Sequence, residues 1–143
     1  MSDDASPANL HQIGTVEDRV GLSQRTIRHY DEIGLVTPSG RSRGGFRLYT
    51  DDDIARLIHI KAMKPLGFSL EEHGELLEIR DRLEAGGALS PATLATLRES
   101  AERASQRCVK LERQLNEARA LTKVMWDQVV LGESRLKPAA DAS

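Results

Sequence analysis

The feature that most constrains this chain is a long stretch without glycine or proline near its C-terminus. It follows Ser90-Pro91, an N-cap residue with proline at the first helical position, and reaches Leu131, where Gly132 is expected to end it. Apolar or small residues recur along it at alternating spacings of three and four. Held over five heptads, this repeat predicts one continuous helix with a coiled-coil seam over residues 90–131.

One helix cannot bury such a stripe by itself. At 1.5 Å per residue it spans roughly 60 Å, and the rest of the chain is too small to cover it. We therefore expect a partner helix, most simply from a second copy of the chain; the alternative is that the helix folds back on its own domain. Beyond the seam, Leu121, Val124 and Trp126 predict docking of the last turns onto a further surface. Apart from Thr122, which is of unsuitable type, the seam residues are Leu94, Leu97, Ala101, Ala104, Cys108, Leu111, Leu115, Ala118, Met125 and Val129.

The segment before this helix has short elements separated by clear stop signals. Thr15 is the expected N-cap of a first helix, which Gly21 ends. Ser23 caps a second helix that runs to Ile33, with Gly34 just after it. Two helices joined by so short a glycine-containing turn predict a helix-turn-helix.

The residues that follow predict a small hairpin and two more helices. A turn at Gly44-Gly45 beside strand-forming residues indicates a β-hairpin that would form a wing. Thr50 opens a third helix, which Pro65 closes, and Ser69 opens a fourth with a capping box. The predicted organisation is a globular domain over 11–85 and a coiled-coil helix over 90–131, with disordered ends at 1–10 and 132–143.

Composition limits the kinds of function open to this chain. It has 143 residues and a net charge of −2, so binding to a polyanion would need a local basic patch. The single cysteine, Cys108, excludes an internal disulfide framework and paired-cysteine metal sites. Because no apolar stretch is long enough to cross a bilayer and no signal peptide is recognisable, we expect a soluble cytoplasmic protein that does not enter a membrane.

A local basic patch does occur around the second predicted helix. On a helical wheel Ile27 and Tyr30 share the side that packs on the first helix, while Arg25 and Arg28 project outward. Residues 23–49 hold five arginines against two acids, a local charge of +3. A helix of this diameter fits the DNA major groove, where arginine and glutamine address base edges and phosphates. A solvated charged face is the alternative interpretation.

The motifs RTIRHYDEIGL, GGFRLYT and LGFSLEE together resemble the DNA-binding domain of the MerR family of bacterial transcription regulators, over residues 13 to about 80. The resemblance implies a mainly α fold: a winged helix-turn-helix domain followed by one long antiparallel coiled-coil dimerisation helix. It also implies a homodimer that binds and distorts pseudo-palindromic, double-stranded promoter DNA, with RNA polymerase as a further partner. Eight residues would then contact DNA: Gln24, Arg25 and Arg28 in the groove, Tyr30 and Arg47 on phosphates, Arg43 on the wing, and Lys61 and Lys64 near a second wing.

Other functions find less support in the sequence. No combination of nucleophile, base and oxyanion donors can be assembled, so we expect a non-enzyme without a metal or other cofactor. Metal sensors of the family place cysteines near the start of the long helix, where this chain has Ser90 and Thr93. His59 and His73 are expected at the surface or its boundary, and Cys108 in seam packing, with a thiol switch as the alternative. A small-molecule effector stays unidentified, and a coiled-coil adaptor or a low-specificity architectural DNA-binding protein are the competing hypotheses.

Overall fold

The computed structural model describes residues 9–136, so most of the two termini predicted to be disordered, 1–10 and 132–143, lies outside the described residues. Within that range the chain is mainly helical, with three very short strands and a 3-10 turn at Lys64–Leu66. The elements in chain order are β1 His11–Gln12, α1 Ile13–Val20, α2 Gln24–Glu32, β2 Gly40–Arg41, β3 Arg47–Tyr49, α3 Asp51–Met63, the 3-10 turn Lys64–Leu66, α4 Leu70–Glu84 and α5 Pro91–Ser134.

The first two helices form the predicted helix-turn-helix, although α1 begins earlier than expected. Its N-cap is Gln12, which makes no side-chain cap, so the assignment of Thr15 as N-cap was wrong. The reason is that β1 pairs with β3 and delivers the chain directly into the helix. Gly21 ends α1 with φ of +79°, a conformation that glycine adopts at little cost. Ser23 caps α2 as predicted, since its hydroxyl oxygen accepts a hydrogen bond from the backbone N–H of Thr26 at 3.1 Å.

The predicted hairpin is present as part of a three-stranded antiparallel sheet with the order β1-β3-β2. Arg41 pairs with Arg47 across the hairpin, and His11 pairs with Tyr49 on the other side of β3. β1 was not predicted because two residues are too short to show an alternating pattern. The sheet ties the hairpin to the start of α1, which fixes the wing beside the helix-turn-helix.

Capping boxes begin the next two helices, of which the sequence predicted only the one at Ser69. Thr50 and Asp53 form one at the start of α3, and Ser69 and Glu72 form the other at the start of α4. Arg56 of α3 donates a 2.6 Å hydrogen bond to the Asp81 carboxylate of α4, which ties the two helices together. Side chains from α1 to α4 and β3 share one apolar core, whose most deeply buried members are Val16, Ile27, Tyr49, Leu57, Ile60 and Leu77.

His73 lies in this buried region and is only 1% exposed, so its assignment to the surface or boundary was wrong. The helix α4 begins just after its N-cap Ser69. Residues 73 and 77 are one turn apart on this helix, so both side chains face the interior. Neither ring nitrogen makes a hydrogen bond of normal geometry within residues 9–136, although the Phe68 backbone lies close enough to influence the pKa. Burial, with a contribution from the charge of Lys64, lowers the pKa of His73.

This lowered pKa predicts that the fold is less stable in mild acid. The unfolded chain binds the His73 proton at higher pH than the folded chain does, so the free energy of unfolding is greatest above about pH 6.5 and falls as the pH drops towards ~5. We expect His73→Leu to show a smaller difference in unfolding free energy between those pH values, measured by urea denaturation. The exposed His59 gives a matched control, His59→Leu, which should keep the wild-type difference. A His73→Leu variant with the wild-type pH dependence would contradict this assignment.

Tyr49 gives a second stability prediction, because it is fully buried and its hydroxyl has no hydrogen-bond partner among the described residues. A buried hydroxyl without a partner loses the water bonds that it makes in the unfolded chain. We expect Tyr49→Phe to leave the free energy of unfolding unchanged or to raise it by about 1 kcal/mol. Tyr49→Ala, which also removes the ring, should cost about 3 kcal/mol. A clear loss of stability in Tyr49→Phe would mean that the hydroxyl has a partner.

The long helix α5 continues past its predicted end at Gly132 and stops at Ser134. A single exposed glycine costs a helix only about 1 kcal/mol, too little to end one of this length. None of the residues of α5 is buried, and most of its large apolar side chains are exposed, including Leu94, Leu115 and Met125. The Thr122 hydroxyl donates a 2.8 Å hydrogen bond to the Ala118 carbonyl, so this seam position is less polar than its residue type suggests.

By their internal contacts, residues up to Ser100 form one unit and those from Ala101 onwards a second, so the first turns of α5 group with the globular part.

Candidate nucleic-acid interface

The two sides of α2 have the character that the helical wheel predicts. Ile27 and Tyr30 are buried in the core, whereas Arg25, Arg28 and His29 are exposed. Ile33, the last residue of the predicted helix, is 47% exposed, because α2 ends at Glu32 and Ile33 follows outside the regular helix. The outer surface of α2 therefore carries the polar and cationic residues, and the inner surface anchors the helix to the core.

An open concave surface of about 720 Å³ lies against this outer face. Lys64 reaches it from the 3-10 turn after α3, so a second element adds positive charge beside α2. One acidic residue, Glu32, is present among its walls. Its lining residues are Arg25, Thr26, Arg28, His29, Tyr30, Glu32, Lys64 and Leu70. The surplus of cationic groups on an exposed, open surface suits the phosphates of a polyanion.

Gln24 is less free than the sequence interpretation assumes. Its side-chain amide donates a hydrogen bond to the Glu17 carboxylate at 3.1 Å and accepts one from the Arg28 guanidinium at 3.1 Å. This chain of contacts links α1 to the outer face of α2 and orients Arg28. One amide N–H and one oxygen lone pair of Gln24 remain for a contact with a base edge.

The wing is joined to α2 through Asp31. Arg47 Nε of β3 donates a 2.7 Å hydrogen bond to Asp31 Oδ2, and Arg41 Nη2 of β2 lies 3.6 Å from the same oxygen. The bond from Arg47 to Asp31 raises the pKa of the guanidinium, which stays charged. The Asp31 side chain is only 14% exposed. In the sequence Asp31 is only one of the two acids counted in this basic segment, and its role in positioning two wing arginines could not be predicted.

The two predicted second-wing lysines have different surroundings. Lys61 Nζ donates a 2.7 Å hydrogen bond to the Val20 carbonyl, one of the last carbonyls of α1. Gly21 makes this approach possible, because a Cβ there would lie 2.4 Å from the ammonium nitrogen. Lys61 therefore stabilises the end of α1, whereas Lys64 lines the basic concave surface. Lys64 is thus the better placed of the two for DNA, and the contact of both lysines with DNA stays a prediction.

Tyr30 and Arg43 occupy opposite environments. Tyr30 is 2% exposed, although it is among the residues that line the concave surface, and its resemblance-based contact with a phosphate stays a prediction. Arg43 is exposed at the hairpin tip, as a wing residue that meets a ligand must be. Within residues 9–136 no three potential metal ligands lie together, and no helix is long and apolar enough to span a membrane.

Comparison with known proteins agrees with this geometry. The sequence model of a protein family, described as MerR HTH family regulatory protein, matches residues 12–78. The mercuric resistance operon regulatory protein of Bacillus cereus is 40% identical over 74 residues, which cover 52% of this chain and 56% of that protein. The uncharacterized HTH-type transcriptional regulator PA4778 of Pseudomonas aeruginosa is 38% identical over 88 residues, covering 61% of this chain and 67% of that protein. The chain thus spans between about half and two thirds of the length of these relatives.

A solved structure shares the fold. HiNmlR, described as a MerR family regulator lacking the sensor domain and bound to promoter DNA, matches 86% of this chain and 95% of its own with a TM-score of 0.59 at 23% identity. Together with the helix-turn-helix, the wing and the long C-terminal helix, these matches confirm the resemblance drawn from the sequence. The chain belongs to the MerR family of helix-turn-helix transcriptional regulators.

Proposed function

We propose that this chain acts in the bacterial cytoplasm as a homodimeric transcription regulator that binds a pseudo-palindromic promoter operator and distorts it. The observation that carries the proposal is the outer face of α2, where Arg25, Arg28 and Lys64 line one open surface. In a chain with a net charge of −2, this concentration of cationic groups is local and lies where a major groove would receive the helix.

The wing extends this surface along the duplex. Asp31 holds Arg47 and Arg41 beside the end of α2, and Arg43 is exposed at the tip. A guanidinium paired through Nε still has its terminal N–H groups available, so Arg47 can contact a phosphate while it remains bonded to Asp31. Contacts of this kind set position and affinity without reading sequence, whereas α2 reads base edges.

A second copy of the chain supplies the other half of the operator. α5 has no buried residue within one chain, and its apolar stripe requires a partner surface. By family resemblance that partner is the antiparallel α5 of a second protomer. Two copies related by a twofold axis present two α2 helices, which explains a pseudo-palindromic site. RNA polymerase bound at the same promoter is the further partner that we propose.

Selection of bound duplexes from a random DNA library tests this function. We expect enrichment of two inverted half-sites at a fixed spacing, bound at least about a thousandfold more tightly than unrelated DNA at physiological salt. A ratio of specific to non-specific affinity near unity would instead indicate the architectural alternative, and no binding to any duplex would indicate the adaptor. The exposed arginines of α2 disfavour the adaptor, because protein-docking surfaces are depleted of charge at their centre.

Substitutions on α2 test which side chains read the sequence. Arg25→Ala is expected to lower affinity for the selected operator by about 1–3 kcal/mol and to relax the preference at one base pair of each half-site. Gln24→Ala should change the preference as well, by freeing Arg28 from its amide partner. Repeating the selection with each variant measures the change, and Glu78→Ala on α4 provides an exposed control. Unaltered preferences in both α2 variants would show that the reading face is assigned wrongly.

A further inference from the structure

Phe46 lies at the tip of the wing, and most of its side chain is exposed. It is 69% exposed, the highest exposed fraction among the large apolar side chains of residues 9–100. An exposed aromatic ring gains free energy wherever a partner covers it. Because Phe46 belongs to the hairpin and not to α5, the pairing of α5 helices does not account for it.

The backbone that carries Phe46 is held firmly. The Ser42 N–H donates to the Phe46 carbonyl at 2.9 Å, and the Phe46 N–H donates to the Ser42 hydroxyl at 3.1 Å. Gly45 has a φ of +83°, which closes the turn, and its carbonyl accepts a 3.1 Å hydrogen bond from the Arg41 guanidinium. The ring is thus presented from a preformed tip, so little conformational entropy is lost when it is covered.

Gly44, which has no side chain, leaves the space in which the Phe46 ring lies. A Cβ at Gly44 would lie 3.1 Å and 3.3 Å from two carbons of the Phe46 ring, closer than normal contact. The ring therefore lies over the Gly44 backbone in space that any other residue would restrict. This arrangement lets a flat apolar group lie close to the tip of the hairpin without a neighbouring side chain covering it.

The charge around the ring identifies what would cover it. Residues 33–50 include three arginines and no acidic residue, and all three arginines belong to the same hairpin as Phe46. Asp31, at the end of α2, balances part of the charge of Arg41 and Arg47, but Arg43 is exposed at the tip, and a protein surface that receives an apolar anchor is rarely surrounded by an excess of positive charge. DNA offers both complements, since phosphates line the minor groove and the deoxyribose rings between them present apolar surface.

We propose, on the basis of the DNA-binding function proposed above, that Phe46 packs against deoxyribose at the edge of the minor groove flanking each half-site. The wing arginines contact the adjacent phosphates and hold the ring in place. Phe46 then contributes affinity through apolar contact, while the arginines contribute it by neutralising phosphate. These two contributions depend differently on salt, which allows them to be separated.

Measuring affinity for the selected operator against salt concentration tests the proposal. We expect Phe46→Ala to bind about tenfold more weakly, from the loss of apolar contact, with an unchanged slope of log K against log salt. Phe46→Leu should retain most of the affinity, and Ile58→Ala, which removes an exposed apolar side chain from α3, should bind as the wild type does. Arg43→Ala should instead reduce the slope by about one.

Hydroxyl-radical footprinting locates the contact. In the wild-type complex we expect protected deoxyriboses beside each half-site, and in Phe46→Ala these alone should become reactive. Because Phe46 is exposed, the variant should keep the wild-type thermal unfolding midpoint. Wild-type affinity or an unchanged footprint in Phe46→Ala would overturn the inference, as would impaired transcription with unaltered DNA affinity, which would place a protein on the ring. If the wild type bound no duplex, the proposed function itself would fail.

Discussion

Charged substitutions at two neighbouring seam positions of α5, Leu111→Asp with Leu115→Asp, are expected to make the chain monomeric and to weaken its binding to the selected operator at least about a hundredfold. A dimer binds the second half-site at the high effective concentration set by the first, and a monomer loses that gain. Aspartates facing each other across an antiparallel pair would also repel and lose apolar burial. The readouts are the sedimentation coefficient and the operator affinity of the same preparation.

The structure makes this test selective for assembly. Within one chain α5 has no buried residue, so the seam substitutions introduce neither a cavity nor a buried charge into the protomer. Gln106→Asp with Ala120→Asp places the same two charges on the opposite side of the helix, at equal cost in helix propensity. These control substitutions should leave a dimer with wild-type affinity. A monomeric seam variant that kept wild-type affinity would show that pairing through α5 is not required for DNA binding.

Arg47→Ala is the second substitution with a large expected effect, a loss of tenfold or more in affinity that is nearly the same for all DNA sequences. The variant loses a phosphate contact, which accounts for part of this loss and should reduce the salt slope by about one. It also leaves the Asp31 carboxylate without its 2.7 Å partner, with only Arg41 at 3.6 Å to balance it. An incompletely neutralised carboxylate beside the phosphate path repels DNA.

A double-mutant cycle separates these two effects. Asp31→Asn removes the charge, so Arg47→Ala with Asp31→Asn is expected to regain part of the lost affinity but not the lost salt slope. Relative binding to matched and mismatched operators should stay constant in all three variants. A loss confined to one sequence, or strictly additive effects of the two substitutions, would contradict the description of Asp31 and Arg47 as a coupled pair that positions the wing.

Much of this fold could be predicted from sequence because its signals are local. Ser23, Thr50 and Ser69 each cap a helix through contacts that span three residues, which a sequence shows directly. The seam of α5 could also be predicted, because its apolar residues repeat along one continuous helix and the repeat is visible in the sequence. The predicted end at Gly132 was wrong because one weak helix breaker cannot outweigh the favourable residues around it.

What the sequence did not reveal depends on distant contacts. β1 exists because it pairs with residues almost forty positions away, and two residues of strand have no periodicity of their own. The family resemblance assigned Lys61 to DNA, and the sequence could not show that the end of α1 provides an acceptor for its ammonium group, because only the tertiary structure brings the two together. Asp31 likewise gains its role from Arg47, sixteen residues along the chain. His73 was misplaced because a polar residue type outweighed its helical phase.

The basic outer face of α2 could be predicted only in part. Arg25 and Arg28 could be placed outward from helical periodicity alone, but Lys64 joins them only through the packing of α3 against the helix-turn-helix. A count of charges along the sequence gives only their sum, whereas the structure shows which charged side chains share a surface and which are already paired.

Sedimentation equilibrium of the full chain at micromolar concentration, without DNA, tests the central claim that two copies pair through α5 to present two basic surfaces. The predicted result is a single species of twice the 15.8 kDa chain mass, unchanged when the salt concentration is raised, because the seam is apolar. A species of 15.8 kDa that remains folded at this concentration would contradict the claim.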